Sequence, residues 1–119
     1  MSPWAYVAAI VACGIGAAGR YALGLARRPH QYPWPTLVAN VVGSAVLGAA
    51  ASAVHGGAPG WVLLVLGAGL AGGITTYSSL ALDAVTLWGN ARRSSAVGYL
   101  AVTMALGMGA AWLGWTLLL

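Results

Sequence analysis

Four long apolar runs, separated by short polar connectors, constrain the fold of this chain more than any other feature of its sequence. A helix rises about 1.5 Å per residue and the hydrocarbon core of a bilayer is about 30 Å thick, so about 20 apolar residues make one crossing. The four runs cover about residues 4–26, 35–54, 61–88 and 96–118. They predict an all-α membrane protein with four transmembrane helices in one domain, residues 1–119.

The composition is that of a protein embedded in a membrane, and it argues against several classes of function. Charged residues make up 5% of the chain, against about 25% in an ordinary soluble domain. The five arginines form no long basic face with interleaved aromatic residues, so nucleic-acid binding is not expected. Cys13 is the single cysteine, which leaves no disulfide or CxxC site. We expect it to be a small residue of the buried core.

The arginines predict the orientation of the chain in the membrane. Arg27 and Arg28 follow the first apolar run, and Arg92 and Arg93 follow the third. Four crossings put both of these connectors on one side, and the connector between the second and third runs has no arginine. By the positive-inside rule, both termini are predicted to lie outside the cytoplasm, in a multi-pass protein of the inner (plasma) membrane.

The third apolar run is longer than one crossing requires, and its middle is rich in poor helix formers. The stretch Gly69–Ser79 combines glycines with threonine and serine, whose hydroxyl groups can bond backbone groups that a helix has released. We therefore predict that the third helix is broken at its middle.

Two polar residues inside the predicted helices allow two interpretations each. Arg20, late in helix one, either extends to the membrane surface as an anchor or makes a vestibule for anions electropositive. Thr36, Asn40 and Ser44 share one face of helix two because they are four residues apart. The Asn40 amide could donate to a dehydrated anion, or it could bond a neighbouring helix, and the spacing by itself favours the second interpretation.

The remaining polar residues point away from enzymatic chemistry. Tyr99 and Thr103 are one turn apart and either present hydroxyl groups along a path or serve locally, Tyr99 at the membrane interface and Thr103 on its own preceding turn. Asp83 is the only acid and either relays protons or pairs with an arginine near the basic connector. No nucleophile–base pair, phosphate loop or metal-ligand cluster is present in the sequence. The chain is therefore not expected to be an enzyme, and neutral donors beside a broken helix suit ion passage or ion binding.

Three stretches in order along the chain resemble the small fluoride channels of the Fluc (CrcB-like) family. They are Gly14–Tyr21, Pro35–Ser44 and Gly72–Ser79. The resemblance implies an antiparallel dimer with two pores that lets fluoride leave the cell passively, and a structural sodium ion at the centre of the dimer. It also implies roles for individual residues. These are Gly72 and Thr75 as backbone sodium ligands; Asn40, Tyr77, Ser78, Leu80, Tyr99 and Thr103 along the pore; and Arg20 at the vestibule.

The chain departs from the pattern of this family at two pore positions. The family usually has two phenylalanines, three residues apart, whose ring edges face the anion, and this chain has Tyr77 and Leu80 there. Tyrosine keeps an electropositive ring edge, whereas leucine offers none. A homodimer would also need one sequence to insert in both directions, which the arginine bias opposes. We therefore expect a heterodimer with an oppositely oriented paralogue, the homodimer being the alternative.

Two other functions remain open from the sequence. A proton-coupled exporter similar to the small multidrug-resistance family would also have four helices, but it depends on an acid in the first helix, and this chain has none before Asp83. A non-conducting partner subunit of a heterodimeric channel is the second alternative, which the missing phenylalanines favour.

Overall fold

A computed structural model describes residues 2–28 and 32–117, which form four helices long and apolar enough to cross a membrane. Their bounds are α1, Pro3–Gly24; α2, Trp34–His55; α3, Gly60–Gly89; and α4, Arg93–Leu117. The described part of the chain is 49 Å long, close to the thickness of a bilayer with its headgroups, about 40–45 Å. The fold is thus all-helical and of membrane-spanning length.

The helix ends differ from the predicted ones by a few residues. The helix α1 ends at Gly24, before the arginine pair, and α4 begins at Arg93 rather than near Ala96. The predicted end of the last helix, near residue 118, lies outside the described residues. Local interactions explain where the first two helices begin. The Ser2 hydroxyl accepts from the Trp4 N–H at 3.1 Å, and prolines, which lack the N–H that a first turn leaves unused, open α1 and α2.

The helix α3 is interrupted, as predicted, and its two halves are built differently. The first half contains Gly60–Val62, a π-helical stretch Leu63–Ala71, and Gly72–Ile74. The second half is the regular helix Tyr77–Gly89. Between them Thr75 and Thr76 are extended, and these two residues are called the break below. The π-helical stretch was not predicted, because its glycine-rich composition does not distinguish it from a closely packed α-helix.

Glycines let the first half of α3 lie directly against the backbone of α1. An added Cβ at Gly69 would lie 2.7 Å from the Ala9 carbonyl oxygen, and one at Gly73 would overlap the Cys13 carbonyl oxygen. From the other side, a Cβ at Gly16 would collide with the Leu70 carbonyl oxygen. Close backbone approach through small residues is the usual means of helix association in lipid, where burial of apolar surface supplies little drive.

The same kind of contact joins α2 to α4. A Cβ at Gly48 would overlap the Ala111 backbone, and a Cβ at Gly114 would overlap the Ala45 carbonyl oxygen. The helix α2 also packs against the break, because Gly43 faces the Thr75 side chain and the Ala71 carbonyl oxygen. The helix α2 therefore lies between the first half of α3 and α4.

The second half of α3 changes partner and packs on α4 through side chains. Its core contains Ala84 and Leu87 from α3 with Ala96 and Tyr99 from α4. Tyr32 packs on this core edge-on, with its ring centroid 5.5 Å from that of Tyr99. The break thus lets one chain segment pack first on α1 and α2 and then on α4.

Cys13 does not lie in the core, contrary to the expectation from the sequence. Its side chain is exposed, while its carbonyl oxygen packs against Gly73. A uniformly apolar helix does not show which of its faces the protein buries, because side chains that face lipid are as apolar as those that face protein.

Candidate functional site

The break in α3 releases backbone groups that a continuous helix would pair internally. Thr75 (φ −78°, ψ 153°) and Thr76 (φ −151°, ψ 126°) are extended. The Thr75 N–H still closes the preceding turn by donating to the Ala71 carbonyl oxygen at 2.9 Å. Two residues later the helix resumes, with the Thr76 hydroxyl accepting from the Ser79 N–H at 3.2 Å. The break is therefore a sharp interruption, after which the Thr76 hydroxyl caps the second helical segment.

Asn40 of α2 bonds both backbone groups of Thr76. Its Oδ1 accepts from the Thr76 N–H at 2.8 Å, and its Nδ2 donates to the Thr76 carbonyl oxygen at 3.2 Å. The Asn40 amide thereby pairs the Thr76 N–H, which the break leaves without a helical acceptor, and adds a donor to the Thr76 carbonyl oxygen. This pairing matters because lipid offers no water as a substitute. The bond to a neighbouring helix, one of the two interpretations of Asn40, is present, and its role in anion passage stays a prediction.

Arg20 contacts the same region from α1. Its Nε donates to the Gly73 carbonyl oxygen at 3.3 Å, two residues before the break. Arg20 also lines a groove of about 290 Å³ together with Thr36, Thr76 and Ser79. A positive charge thus lies beside hydroxyl groups at the break, and the vestibule role of Arg20 stays a prediction.

A second groove, the α2–α4 groove, brings together three polar residues predicted from the sequence. Its volume is about 300 Å³. Its lining consists of Asn40, Ser44, Thr103, Met104, Gly107, Met108 and Ala111. The Thr103 hydroxyl donates to the carbonyl oxygen of its own preceding turn, at Tyr99, at 2.7 Å. The groove offers neutral polar groups that can both donate and accept, and its lining contains no ionisable side chain.

The two residues predicted to hold a sodium ion, Gly72 and Thr75, line a groove of about 570 Å³. Among residues 2–28 and 32–117, no three His, Cys, Asp or Glu side chains come together. A cation here would therefore depend on backbone and hydroxyl oxygens. The extended backbone at Thr75 supplies such oxygens, because the carbonyl groups at a helix end lack their usual donors. Hard oxygen ligands at unwound backbone fit sodium, and its binding stays a prediction.

Asp83 in the second half of α3 collects three partners from three other segments. Its Oδ2 accepts from the Thr36 hydroxyl at 2.9 Å and from the Tyr99 hydroxyl at 3.2 Å. Its Oδ1 lies 3.6 Å from an Arg27 guanidinium nitrogen. Asp83 thus pairs with an arginine of the basic connector, the second interpretation from the sequence. Tyr99 is fully buried within the protein, and its position at the membrane interface stays a prediction.

Four of the predicted pore residues lie outside the α2–α4 groove, the buried Tyr99 and three others. Tyr77 projects from the chain with 83% of its surface exposed. Ser78 is exposed, and its hydroxyl lies 3.2 Å from the Thr76 hydroxyl. Leu80 packs on the core that contains Ala84 and Tyr99. Within this single chain, Asn40 and Thr103 therefore line the same groove, whereas Tyr77, Ser78 and Leu80 lie elsewhere.

Sequence reasoning did not single out two parts of the site. The first is Thr76, whose backbone is the partner of Asn40. The second is the part of the α4 face beyond Thr103, where Gly107 lies opposite Ser44. A Cβ added at Gly107 would lie 3.4 Å from the Ser44 hydroxyl oxygen. A signal for that face exists, because Thr103, Gly107 and Ala111 repeat the four-residue spacing of Asn40 and Ser44 with small residues.

Comparison with known proteins identifies the family. The model of the family described as CrcB-like protein, Camphor Resistance (CrcB), matches residues 7–115. A protein of Renibacterium salmoninarum named fluoride-specific ion channel FluC is 42% identical over 101 residues, 83% of this chain and 77% of that protein. The fluoride-specific ion channel FluC 2 of Halalkalibacterium halodurans is 41% identical over 113 residues, 91% of this chain and 84% of that protein. The fluoride-specific ion channel FluC 1 of Geobacillus kaustophilus is 36% identical, over 92% of this chain and 96% of that protein. The chain therefore belongs to the CrcB-like family, whose members are ion channels and not enzymes.

Proposed function

We propose that this chain is a subunit of a passive, fluoride-selective channel that lets fluoride leave the cytoplasm and so relieves its toxicity. The observation that carries the proposal is the α2–α4 groove, in which Asn40, Ser44 and Thr103 bring neutral hydrogen-bonding groups together between apolar helices. The names of its relatives, fluoride-specific ion channels, supply the identity of the anion. The arginine bias supports insertion in the cell membrane with both termini outside the cytoplasm.

An anion in this groove would exchange its water for protein donors. Asn40 uses one N–H group on the Thr76 carbonyl oxygen, so its second N–H group and the Ser44 hydroxyl are available to the anion. Because the Thr76 carbonyl oxygen and N–H hold the Asn40 amide in place, its donor is already oriented before an anion arrives. Neutral donors allow binding that is strong enough to dehydrate the ion and weak enough to release it. Arg20, beside the break, would attract anions to one end of the path.

A second, oppositely oriented subunit would complete the path, since the groove of this chain is open on one side. We expect that subunit to be a paralogue, because Leu80 gives no aromatic edge to the anion and the four arginines favour one orientation. Gly72 and Thr75 would hold a structural sodium ion where the broken helices of the two subunits meet. Bound there, the ion would join the two subunits through shared oxygen ligands.

Efflux of fluoride from liposomes, followed with a fluoride electrode, tests the proposed path. The expected result is efflux of fluoride well above that of chloride, blocked by Asn40→Asp because a carboxylate repels the anion. Ser44→Ala removes a groove hydroxyl and is expected to slow efflux several-fold. Ser52→Ala is the matched control, because Ser52 lies on the same helix, is buried, and its hydroxyl has no partner among residues 2–28 and 32–117. Unchanged efflux in both groove variants would remove the groove from the conduction path.

The composition of the dimer is tested with the same assay. The purified chain alone is expected to conduct poorly, and mixing with an oppositely oriented paralogue is expected to restore efflux. Leu80→Phe should increase efflux through the chain alone by supplying a ring edge. Fluoride-selective efflux from a two-fold dimer of the unmodified chain alone would end the idea of an obligatory partner.

The sodium ion is tested by replacing it. If sodium binds the assembled protein and not the unfolded chain, sodium at about five times its Kd raises the free energy of unfolding by about 1 kcal/mol. N-methylglucamine, too large for the site, is the control cation. Equal thermal stability in the two salts would contradict sodium binding at Gly72 and Thr75.

One observation favours a second candidate, a non-conducting partner subunit. Leu80 has no aromatic ring, and its side chain packs on the core of its own chain. A subunit of this kind would assemble with a paralogue but add no path of its own. Efflux from the mixed dimer that is insensitive to Asn40→Asp in this chain alone would identify it.

A further inference from the structure

The turn between α3 and α4, residues 88–95 and called the arginine turn here, has a defined backbone shape. The Ala91 N–H donates to the Trp88 carbonyl oxygen at 3.2 Å, and the Arg92 N–H donates to the Leu87 carbonyl oxygen at 3.0 Å. Ala91 has a φ of 58°, in the left-handed region, which reverses the chain within two residues. The turn therefore folds back on the end of α3 and presents its side chains from a fixed backbone.

These side chains form a polar pocket of about 480 Å³ that the proposed channel does not use. Its lining consists of Trp88, Gly89, Ala91, Arg92, Arg93, Ser94 and Ser95. The Arg93 guanidinium carbon lies 5.0 Å from the centroid of the Trp88 ring, within cation–π range. Two arginines and two serine hydroxyls thus share one pocket with an indole.

The positive charge of this pocket is not neutralised by an acid. Asp83 is the only side-chain carboxylate of the chain, and it pairs with Arg27 at the other basic connector. Within residues 2–28 and 32–117, no ion pair involves Arg92 or Arg93. The two basic connectors therefore differ, since one is tied to the helix bundle through Asp83 and the other offers its arginines outward.

Trp88 indicates the depth at which this pocket lies in a membrane. It is close to the end of a membrane-spanning helix and half of its surface is exposed. An indole in that setting lies at the level of the lipid headgroups, where its ring is apolar and its N–H is hydrated. The arginine turn is thus at the depth of lipid phosphates.

We propose that the arginine turn binds the phosphate of an anionic phospholipid, with the lipid headgroup inside the pocket. Arg92 and Arg93 pair with the phosphate oxygens, Ser94 and Ser95 donate to them, and Trp88 contacts the adjoining glycerol and upper acyl chain. A free phosphate ion has the same charge but would gain nothing from the indole. The position at the headgroup level therefore favours the lipid as the source of the anion.

Native mass spectrometry of the delipidated protein, titrated with equal amounts of dioleoylphosphatidylglycerol and dioleoylphosphatidylcholine, tests this proposal. The wild type is expected to retain the anionic lipid preferentially. Each juxtamembrane arginine contributes about fivefold to binding of an anionic surface, so Arg92→Gln with Arg93→Gln should weaken retention about 25-fold. Arg28→Gln, at the other connector, is the control and should weaken retention less than Arg93→Gln does. Size-exclusion profiles verify that the variants remain folded.

Three outcomes would overturn the proposal. Equal retention of the two lipids by the wild type would show that the pocket does not select negative charge. Equal losses in Arg28→Gln and Arg93→Gln would show a general surface potential and no pocket. Displacement of phosphatidylglycerol by inorganic phosphate at matching concentration would identify the pocket as a site for free anions. Because none of these measurements uses fluoride, they stand apart from the proposed channel function.

Discussion

The two halves of α3 are held in place by opposite means. The first half packs where side chains are missing, with Gly69 and Gly73 directly on the backbone of α1. The second half packs where side chains are present, with Leu87 in the core and Asp83 bonded to three other segments. The first half should therefore tolerate no added atoms, and the second half should be weakened by removed ones. The break, bonded by Asn40, separates these two regimes.

Gly73→Ala is expected to have the largest effect on stability. The added Cβ would overlap the Cys13 carbonyl oxygen, a backbone atom that cannot rotate away. We expect the free energy of unfolding to fall by at least about 3 kcal/mol, the upper range for overpacking. Unfolding in mixed micelles by added dodecyl sulfate measures it. Gly14→Ala on α1, where no atom lies within 4 Å of the added Cβ, is the control and should change little. Similar stability of the two variants would contradict backbone-to-backbone packing in this half.

Asn40→Ala should have the next largest effect, because it acts at the boundary between the halves. It leaves the Thr76 N–H without its acceptor and takes one donor from the Thr76 carbonyl oxygen. An unpaired buried group costs about 1–3 kcal/mol and a lost hydrogen bond about 1 kcal/mol, so we expect the free energy of unfolding to fall by about 2–3 kcal/mol in the same unfolding assay. Ser52→Ala on the same helix removes a hydroxyl that has no partner in the described part of the chain and should be neutral. A loss for Asn40→Ala no greater than that for Ser52→Ala would mean that the break is held by other contacts.

Leu87→Ala tests the second half of α3 by removing atoms from its core. Leu87 is buried, with 4% of its surface exposed. We expect the free energy of unfolding to fall by about 2 kcal/mol. This is at the low end for buried leucines, because burial of apolar surface stabilises a protein less in lipid than in water. Leu82→Ala on the same helix removes an exposed side chain, 67% of it accessible, and is expected to be nearly neutral. Equal stability losses would show that side-chain packing does not distinguish the faces of this half.

Asp83→Asn is expected to have the smallest effect of the four variants, lowering the free energy of unfolding by about 1 kcal/mol. The amide keeps one oxygen for Thr36 or Tyr99 and loses the charge that pairs with Arg27, whose side chain is partly exposed. Combining it with Tyr99→Phe sharpens the test. If Asp83 and Tyr99 act as one network, the double variant loses less stability than the sum of the single variants. Strict additivity would show that the hydroxyl and the carboxylate act independently.

The sequence predicted the elements of this fold better than their partners. Four spans and the break followed from apolar length and from the Gly–Thr stretch, since both are local properties. The spacing of Asn40 and Ser44 placed them on one face, as the groove has them. Local spacing cannot show which backbone lies opposite, so the bond from Asn40 to Thr76 was one of two options. The burial of Tyr99 and the exposure of Cys13 were missed for the same reason, because both depend on which helix packs on which face.

The π-helical stretch Leu63–Ala71 marks a further limit of local reasoning. Its sequence is ordinary for a packed membrane helix, with glycines at 67 and 69. A change from i→i+4 to i→i+5 bonding alters which side chains share a face. Tertiary contacts with α1 and α2 therefore decide the register of this segment, and no pattern within it does so.

The central claim, that α3 is broken at Thr75 and Thr76 inside the assembled protein, is tested most directly by solid-state NMR in lipid bilayers. The Cα and Cβ chemical shifts of both threonines report their backbone conformation while the protein stays in its membrane. Shifts typical of extended backbone are expected for both residues, flanked by helical shifts at Ile74 and from Tyr77 onward. Helical shifts at both threonines would describe an unbroken helix and contradict the account.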